Sequence, residues 1–311
     1  MDGFARILVT GAEGFVGRTL AAHLRRTMPG AHLIGTTRAP QDVPGFDETH
    51  AADLSHGDVP AVLALTRPDI VLHLAARSSV AEGISAAGET FADNMTASLA
   101  LAGAMRTVLP GIPLVFASSG EVYGSSFNLE CPVTEQTPPA PQNAYARSKL
   151  AGEFAFTDIL GSVSPVLILR LFNHFGPGQD ERFVIPTFAG QLRRMMHEAA
   201  PRRMRVGNLD ATRDFLPVAD VMAAYSAALS LARRRRAGAE VFNVASGIGR
   251  SIRSVLDDLI RQAGFEVTIE VDPARLRPSE VPKAVGNAEK FQIATGWTAA
   301  SDWSDALSGM L

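Results

Sequence analysis

The fold is decided by the stretch Ile7-Leu8-Val9-Thr10-Gly11-Ala12-Glu13-Gly14-Phe15-Val16-Gly17. Its apolar start predicts a short buried strand, and its three glycines predict a tight turn that opens into a helix. Glycine has no side chain to keep the backbone away from a ligand, and the N-terminus of a helix attracts negative charge. The turn therefore predicts a site for the pyrophosphate of a dinucleotide cofactor, with a turn that serves only the fold as the alternative. The cofactor-binding residues predicted in it are Gly11, Gly14, Phe15, Val16 and Gly17.

Apolar runs and helical patterns alternate through the rest of the first half. Short strands are predicted at residues 7–9, 32–36, 70–74, 113–117 and 166–170. Helices are predicted at residues 15–28, 57–66, 89–108 and 142–160. Short strands that are apolar throughout and alternate with helices are typical of a parallel sheet covered on both faces. With right-handed crossovers, the pattern predicts an α/β fold with a doubly wound parallel sheet of the Rossmann type.

The regular alternation of apolar runs and helical patterns ends after Phe172. Loops are predicted at residues 173–179 and 273–282, helices at 184–198, 218–232 and 251–263, and a strand at 266–271. These elements predict a smaller, discontinuous α+β region that closes over the sheet. The predicted division gives residues 1–172 and about 214–245 to a cofactor-binding domain, and about 173–213 and 246–311 to a substrate-binding domain.

The composition argues against several classes of protein. Of the 311 residues 46% are hydrophobic, which suits a globular fold with a sizeable core. A net charge of −3 gives no sign of a nucleic-acid partner or a membrane surface. Cys131 is the only cysteine and no signal peptide is visible, so we expect a cytoplasmic protein without internal disulfides. The seven histidines lack metal-binding spacing, and no metal site is predicted.

A tyrosine and a lysine stand four residues apart in the run Asn143-Ala144-Tyr145-Ala146-Arg147-Ser148-Lys149. On a helix this spacing puts both side chains on one face. An ammonium favours the phenolate, so we predict that Lys149 lowers the pKa of Tyr145 from its ordinary value of about 10. A general acid is most useful when its pKa lies near the working pH. The pair therefore predicts a proton donor, with an ordinary pair on a helix surface as the alternative.

A second polar segment, Ser118-Ser119-Gly120-Glu121-Val122-Tyr123-Gly124, follows the predicted strand that ends at Ala117. A hydroxyl at the end of a strand can donate a hydrogen bond to the carbonyl oxygen of a substrate. Ser119 and Tyr145 would then polarise that carbonyl together. A simple turn that contains two serines is the alternative.

The end of the second predicted strand bears on the choice of cofactor. An acidic residue there binds the ribose 2′-hydroxyl of NAD, whereas an arginine favours the 2′-phosphate of NADP. The sequence Gly35-Thr36-Thr37-Arg38 has no acid, so NADP(H) is favoured through Arg38, and NAD(H) is the alternative. The other predicted cofactor contacts are Asp53 and Leu54 at the adenine, and Leu74, Ala75 and Ala76, beside which a flat cofactor can lie. His73 is interpreted as a packed strand residue.

These motifs, in this order, resemble the extended short-chain dehydrogenase/reductases, in the branch that modifies nucleotide sugars. The resemblance covers nearly the whole chain, and its core is Gly11-x-x-Gly14-x-x-Gly17, His73-Leu74-Ala75-Ala76, Ser119 before Tyr123-Gly124, and Tyr145-x-x-x-Lys149. It implies that Ser119, Tyr145 and Lys149 are a catalytic triad, and that Tyr145 and Lys149 also contact the cofactor. It further implies a homodimer through a four-helix contact that includes the helix bearing Tyr145.

Three segments of the second half narrow the resemblance to GDP-6-deoxy-4-keto-mannose reductases. They are residues 170–179, 206–215 and 276–282, and the resemblance implies that they form the nucleotide-diphosphate pocket. Arg213 and Arg277 suit the diphosphate, because a planar guanidinium forks onto phosphate oxygens. Asn173 suits a contact to the sugar or a phosphate. Glu280 suits guanine or a ribose, or an ion pair with an arginine.

Glu121 leaves a second reaction open. Dehydratases of this branch carry a glutamate two residues before the tyrosine of the Tyr-Gly pair, where it acts on the C5 proton of the sugar, and Glu121 occupies that place. Reductases can carry an acid there too. Glu121 is therefore a candidate catalytic residue and, like Ser119, a candidate substrate contact.

The resemblance implies an NADPH-dependent reduction of the C4 keto group of a nucleotide-linked 6-deoxy-4-keto-hexose. The favoured substrate is GDP-4-keto-6-deoxy-D-mannose, and the product is GDP-D-rhamnose or its C4 epimer, GDP-6-deoxytalose. Rhamnose-containing polysaccharide is the hypothetical destination. A 4,6-dehydratase of the GDP-mannose type and a 4-epimerase of the same fold are the alternatives. A non-catalytic NADP-binding sensor is the alternative from another class, and the complete triad argues against it because a sensor needs no proton donor.

Overall fold

Strands form the framework of the protein. A computed structural model describes residues 6–55, 57–78, 86–197, 202–275 and 281–311. Within these ranges the strands, in chain order, are β1 (Arg6–Thr10), β2 (His32–Thr37), β3 (Glu48–Ala51), β4 (Ile70–His73), β5 (Leu114–Ser119), β6 (Pro165–Leu171), β7 (Asn173–Phe175), β8 (Arg203–Val206), β9 (Thr212–Pro217), β10 (Gly238–Val244), β11 (Gly249–Ser251), β12 (Thr268–Val271) and β13 (Lys283–Ala284).

The helices lie mostly where the periodicity of the sequence predicts them. In chain order they are α1 (Phe15–Thr27), α2 (Val59–Thr66), α3 (Ala87–Val108), α4 (Ala144–Leu160), α5 (Val184–His197), α6 (Val218–Ala232), α7 (Ile252–Ala263), α8 (Glu289–Thr295) and α9 (Trp303–Ser308). The sequence did not predict α8 and α9, which are short. In the part of the chain that the structure covers, no helix combines the length and apolar character needed to cross a bilayer.

The largest sheet is parallel and has seven strands within the described ranges, in the order β10-β6-β5-β4-β1-β2-β3. The chain starts at β1 in the interior of the sheet, adds β2 and β3 on one side, and then crosses over to add β4, β5 and β6 on the other. The order therefore reverses between β1 and β4, which is the point where doubly wound sheets bind their ligands. The predicted doubly wound sheet is confirmed.

The strands of this sheet are apolar throughout because helices cover both of its faces. Neighbouring residues of β1 belong to different cores, since side chains alternate across a strand. Ile7 and Val9 pack in one core with residues of α1 and α6. Leu8 packs in the other, with residues of α2, α3 and α4. The two cores hold the ends of the strands in fixed positions and so give a rigid edge on which a site can be built.

Smaller sheets make up the predicted α+β region. In one of them β9 pairs with β11, β13 and β7, and in another β12 pairs with β8. Residues of β7, β8, β9 and β12 share a third core with α5, α7 and α9. The prediction of a loop over residues 173–179 is wrong at its start, because Asn173–Phe175 forms β7. Its backbone pairs with residues 215–217 of β9, so a contact distant in sequence overrides the loop-like composition.

Candidate active site

A cavity of about 1120 Å³ runs along the carboxyl edge of the large sheet. Residues that follow β1 to β6 line one side of it, and residues of the smaller sheets line the other. The cavity thus lies at the point where the strand order reverses. The predicted site residues that line it are Gly11, Gly14, Phe15, Val16, Gly17, Arg38, Asp53, Leu54, Leu74, Ala75, Ala76, Ser119, Glu121, Tyr145, Lys149, Asn173 and Arg213. Arg277 and Glu280 lie outside the described residues.

The glycine turn has the shape that a pyrophosphate requires. Gly11 has a φ of +70°, and a Cβ there would lie 2.9 Å from the Cα of Ala75, so no larger residue fits. A Cβ on Gly17 would lie 2.5 Å from the carbonyl oxygen of Gly11, so this glycine lets α1 pack against the turn. Gly14 caps α1 without a side-chain hydrogen bond, and the first turn of α1 has no acidic residue. The N-terminus of α1 can therefore receive a negatively charged group.

The predicted catalytic side chains come from β5 and α4. Ser119 is the last residue of β5, and Tyr145 and Lys149 lie on the first turns of α4. Asn143 starts this helix, since its side chain accepts a hydrogen bond of 2.8 Å from the N–H of Ala146. Tyr145 and Lys149 are only 8% and 4% exposed. The end of the strand and the capped helix thus hold three polar groups at one wall of the cavity.

Burial governs the charges of this group. It raises the pKa of Tyr145 to about 12, against a hydrogen bond from Ser119 that lowers it, while the charge of Glu121 raises it further. Burial also lowers the pKa of Lys149 to about 7, partly opposed by Glu153. The predicted lowering of the tyrosine pKa is therefore wrong for this structure. The prediction fails because removal from water disfavours the charged form of each group. It raises the pKa of Tyr145, and it lowers the pKa of Lys149, whose positive charge was expected to stabilise the phenolate.

Lys149 is fixed by the strand beside it. Its Nζ donates a hydrogen bond of 2.7 Å to the carbonyl oxygen of Ala117 on β5. The same nitrogen lies 5.0 Å from the centre of the Phe116 ring, so the ring face faces the ammonium. These contacts place the charge beside the cavity wall that also carries Tyr145.

A buried ion pair behind Lys149 was not predicted from the sequence. Glu153 follows Lys149 by one turn of α4 and accepts two hydrogen bonds from Arg170 on β6, of 3.0 and 2.7 Å. It also accepts a hydrogen bond from the hydroxyl of Ser118. Both ionic side chains are about 95% buried. The spacing of Glu153 four residues after Lys149 was a usable signal, because such residues share a helix face.

The end of the cavity beside β2, called the adenosine end because the predicted adenine contacts Asp53 and Leu54 lie there, contains a second residue that sequence reasoning missed. No acid stands at the end of β2, but Glu13 of the glycine turn lies there in space. Its carboxylate accepts hydrogen bonds from the backbone N–H of Arg38, at 3.1 and 3.2 Å, and from Nε2 of Gln41, at 3.0 Å. Only the pairing of β1 with β2 brings these residues together, so no local pattern could reveal it.

The other end of the cavity, called the sugar end because the predicted substrate contacts Asn173 and Arg213 lie there, is built from β7 and β9. Asn173 is exposed on β7, and Arg213 on β9 donates through Nη1 to the carbonyl oxygens of Thr212 and Val281, at 2.9 and 2.8 Å. His174 lies in the predicted pocket segment 170–179 but was not singled out as a site residue. It also lines the cavity, and its ring stacks on that of Phe15 with 6.4 Å between centres. This stack links the sugar end directly to the glycine turn.

The interpretation of His73 as a packed residue is confirmed. It is 1% exposed, and its ring lies 5.6 Å from each of the Phe116 and Phe156 ring centres. Burial lowers its pKa to about 3, so the ring is neutral. Its Nδ1 pairs with the hydroxyl of Thr10 at 2.8 Å, which ties β4 to β1 beside the glycine turn.

Comparisons with known proteins agree with this geometry. The sequence profile of the GDP-mannose 4,6 dehydratase family matches residues 8–310. A GDP-6-deoxy-D-mannose reductase of Pseudomonas aeruginosa is 37% identical, over 94% of this chain and 91% of its own. The structure of RMD from Pseudomonas aeruginosa complexed with NADPH is 34% identical, with a TM-score of 0.83, over 100% of this chain and 98% of that one.

A related enzyme with another activity also matches. The UDP-glucose 4-epimerase of Thermus thermophilus in complex with NAD is 27% identical, with a TM-score of 0.81, over 98% of this chain and 97% of that one. The family profile thus covers nearly the whole chain. The matched part includes the glycine turn, the tyrosine and lysine of α4, and residues of all seven strands of the large sheet. The chain belongs to the GDP-mannose 4,6-dehydratase family, within the extended short-chain dehydrogenase/reductases.

Proposed function

We propose that this protein uses NADPH to reduce the C4 keto group of GDP-4-keto-6-deoxy-D-mannose, giving GDP-D-rhamnose. The observation that carries the proposal is the position of Ser119, Tyr145 and Lys149 on the wall of the cavity that the glycine turn also lines. The identity of 37% to a GDP-6-deoxy-D-mannose reductase supports the choice of reaction and of substrate.

The side chains perform this reduction in defined roles. Gly11, Gly14 and Gly17 would hold a nicotinamide cofactor in the cavity, which would supply the hydride for C4. Ser119 donates a hydrogen bond to the carbonyl oxygen, and Tyr145 gives its proton to that oxygen as negative charge develops there. The pKa of Tyr145, about 12, keeps the phenol protonated at neutral pH. An alkoxide is a stronger base than a phenolate, so the proton moves in the direction of reduction, and Lys149 in its charged form stabilises the phenolate.

The nucleotide sugar lies toward the smaller sheets in this proposal. Arg213 binds the diphosphate, and its guanidinium is held in place by the carbonyl groups of Thr212 and Val281. Asn173 binds the sugar or a phosphate, and we assign Arg277 and Glu280 to the same pocket on the sequence resemblance alone. The domain division into residues 1–172 and about 214–245, and about 173–213 and 246–311, belongs to the same proposal. Its support is that β10 joins the large sheet.

A homodimer is also part of the proposal, as is a cytoplasmic location. The helices α3 and α4 pack along each other and leave large apolar side chains in solvent. Phe91 is 37% exposed, Leu99 40% and Phe154 60%. Helices with such a face bury it against another element, and a second copy offers the same face. We expect Phe154→Asp to shift the molar mass measured by light scattering from that of a dimer to that of a monomer, whereas an unchanged mass would exclude this contact.

The test of the reaction is NADPH consumption with the keto sugar, generated in place by a GDP-mannose 4,6-dehydratase. GDP-mannose alone is the control. We expect one NADPH oxidised for each keto sugar converted, and NMR of the product then assigns the rhamno or talo configuration at C4. If the protein binds NADPH but oxidises none of it with either the keto sugar or GDP-mannose, the proposal of a reductase is refuted.

One observation favours a second candidate, a 4,6-dehydratase. A 4-epimerase of the same fold stays an alternative on the resemblance alone, because it needs no base at C5. Glu121 lines the cavity beside Tyr145, and its charge acts on the tyrosine. A carboxylate there can take a proton from C5 of the sugar. Such enzymes restore their cofactor within one cycle, so they convert GDP-mannose or a UDP-sugar without net use of NADPH. Loss of that conversion in Glu121→Gln would then identify the base.

A further inference from the structure

Glu13 occupies the place where proteins of this fold read the ribose 2′ position. Its carboxylate accepts the backbone N–H of Arg38, directly after β2, at 3.1 and 3.2 Å. Gln41 holds the same carboxylate through Nε2 at 3.0 Å. Arg18 in turn donates to the main-chain carbonyl of Glu13 at 2.6 Å, which fixes the turn that carries it. An acidic group therefore stands at the end of β2, although the sequence of that strand end has none.

We propose that Glu13 determines the cofactor specificity of this protein, and that it allows NADH to be used beside NADPH. The inference rests on the proposed function, because it concerns the nicotinamide cofactor of that reaction. A carboxylate beside the end of β2 accepts a hydrogen bond from a ribose 2′-hydroxyl. Arg38 is exposed on the same side of the cavity and favours a 2′-phosphate instead. The two residues act against each other.

The donors that hold Glu13 explain why it competes with a phosphate. The N–H of Arg38 and the amide of Gln41 are donors that would suit the oxygens of a 2′-phosphate, and the carboxylate already uses both. A phosphate must displace this carboxylate or lie beside a like charge. A 2′-hydroxyl needs neither change. Glu13 therefore lowers the affinity for NADPH more than the affinity for NADH.

The test is a direct measurement of cofactor binding, which needs no sugar. The dissociation constants of NADPH and NADH are measured by titration calorimetry for the wild type, Glu13→Gln and Glu13→Asp. Glu13→Gln keeps the size of the side chain and removes its charge. Glu13→Asp keeps the charge. Glu266→Gln is the matched control, since Glu266 is exposed and is not among the residues that line the cavity.

We expect the ratio of NADPH affinity to NADH affinity to rise on the order of tenfold in Glu13→Gln, and to change little in Glu13→Asp and Glu266→Gln. The gain should shrink as salt is added, because salt screens a charge that is only half-buried. A ratio that stays constant in Glu13→Gln, while both cofactors bind, overturns the role of Glu13 and leaves the reductase intact. A wild type that binds neither cofactor overturns the reductase and this inference together.

Discussion

The two ends of the cavity differ in how far their charged groups are removed from water. Where β5 meets α4, the side chains of Tyr145, Lys149 and Glu153 are at most 8% exposed. At the adenosine end, Arg38 is exposed and Glu13 is half-buried. Burial moves the pKa of Tyr145 to about 12 and that of Lys149 to about 7. One end thus holds the proposed catalytic groups away from water, and the other holds charges close to the surface.

The difference has an energetic consequence. Charges in a poorly solvated site interact strongly and are screened little by salt, whereas exposed charges interact weakly and are screened well. Substitutions at the buried end should therefore have large effects that do not depend on salt. Substitutions at the adenosine end should have small effects that do. A substitution that fails to follow this rule breaks the comparison.

Tyr145→Phe should have the largest effect. The ring remains to fill its buried position, but the proton for the alkoxide is lost, so turnover should fall by about 10² to 10⁴. Steady-state kinetics with the keto sugar gives kcat, and calorimetry gives the affinity for NADPH, which should change far less than kcat because Tyr145 is only one of the predicted cofactor contacts. Turnover near that of the wild type, at any salt concentration, would remove Tyr145 from the chemistry.

Arg170→Met should destabilise the protein strongly. It leaves the carboxylate of Glu153 buried without its guanidinium partner, which costs about 3–5 kcal/mol in the free energy of unfolding. The double variant with Glu153→Gln removes both charges and should regain most of the loss. Urea unfolding followed by circular dichroism measures both. The control is Arg203→Met, whose ion pair with Glu270 is 64% exposed at the arginine and should contribute about 1 kcal/mol or less. Equal losses in the two single variants would contradict the comparison.

The pH profile of the reduction should report Lys149. Its pKa is lowered to about 7 in the protein without ligands, and only the charged form stabilises the phenolate, so kcat/KM should fall as pH rises through about 7. Lys149→Arg keeps a positive charge at every accessible pH and should remove this decline. The reduction itself should be slower in this variant, because the guanidinium has a different geometry. Arg147→Lys is the control, on the exposed face of the same helix. A decline that persists in Lys149→Arg would assign it to another group.

The same shift links stability to pH. The pKa of Lys149 is about 7 in the folded protein and 10.5 as its ordinary value, so between these values the unfolded chain binds more protons. Stability should therefore rise with pH across this window, as far as Lys149 contributes. In Lys149→Met this contribution is absent. The slope of the unfolding free energy against pH, compared between wild type and variant, measures it, and identical slopes would show that Lys149 keeps an ordinary pKa.

Local signals located most of the framework of the fold, although β3 and β10 of the large sheet were not among the predicted strands. The apolar runs at residues 7–9, 70–74 and 166–170 became strands of the large sheet, because a strand buried on both faces has to be apolar throughout. The strand β9 was not predicted, although it carries Arg213. Its residues are polar at the start, and it is a strand because it pairs with three others. Pairing of this kind depends on the whole chain and leaves little trace in a short segment.

In the candidate site, too, the features that depend on local sequence were predicted, and those that depend on distant contacts were not. The spacing of Tyr145 and Lys149 located the helix face that reaches the cavity, since geometry within a helix is local. The direction of the tyrosine pKa was predicted wrongly because it depends on burial, which no spacing reveals. Glu13 was missed for a related reason, since it meets Arg38 only when β1 and β2 lie side by side. What the sequence could not supply was the surroundings of each group.

Arg38→Ala should have the smallest effect and sharpens the comparison most. The bond from Arg38 to Glu13 uses the backbone N–H, so alanine keeps it and the change isolates the guanidinium. We expect the dissociation constant of NADPH to rise by about two- to fivefold, the range of an exposed charge pair, and that of NADH to stay constant. Added salt should reduce the difference, as it should not for Tyr145→Phe. Arg26→Ala, exposed on α1 and outside the cavity lining, is the control. A hundredfold loss of NADPH affinity that persists at high salt would mean that the adenosine end is as well shielded from water as the end that carries Tyr145. The difference in burial between the two ends would then not account for the difference in their charges.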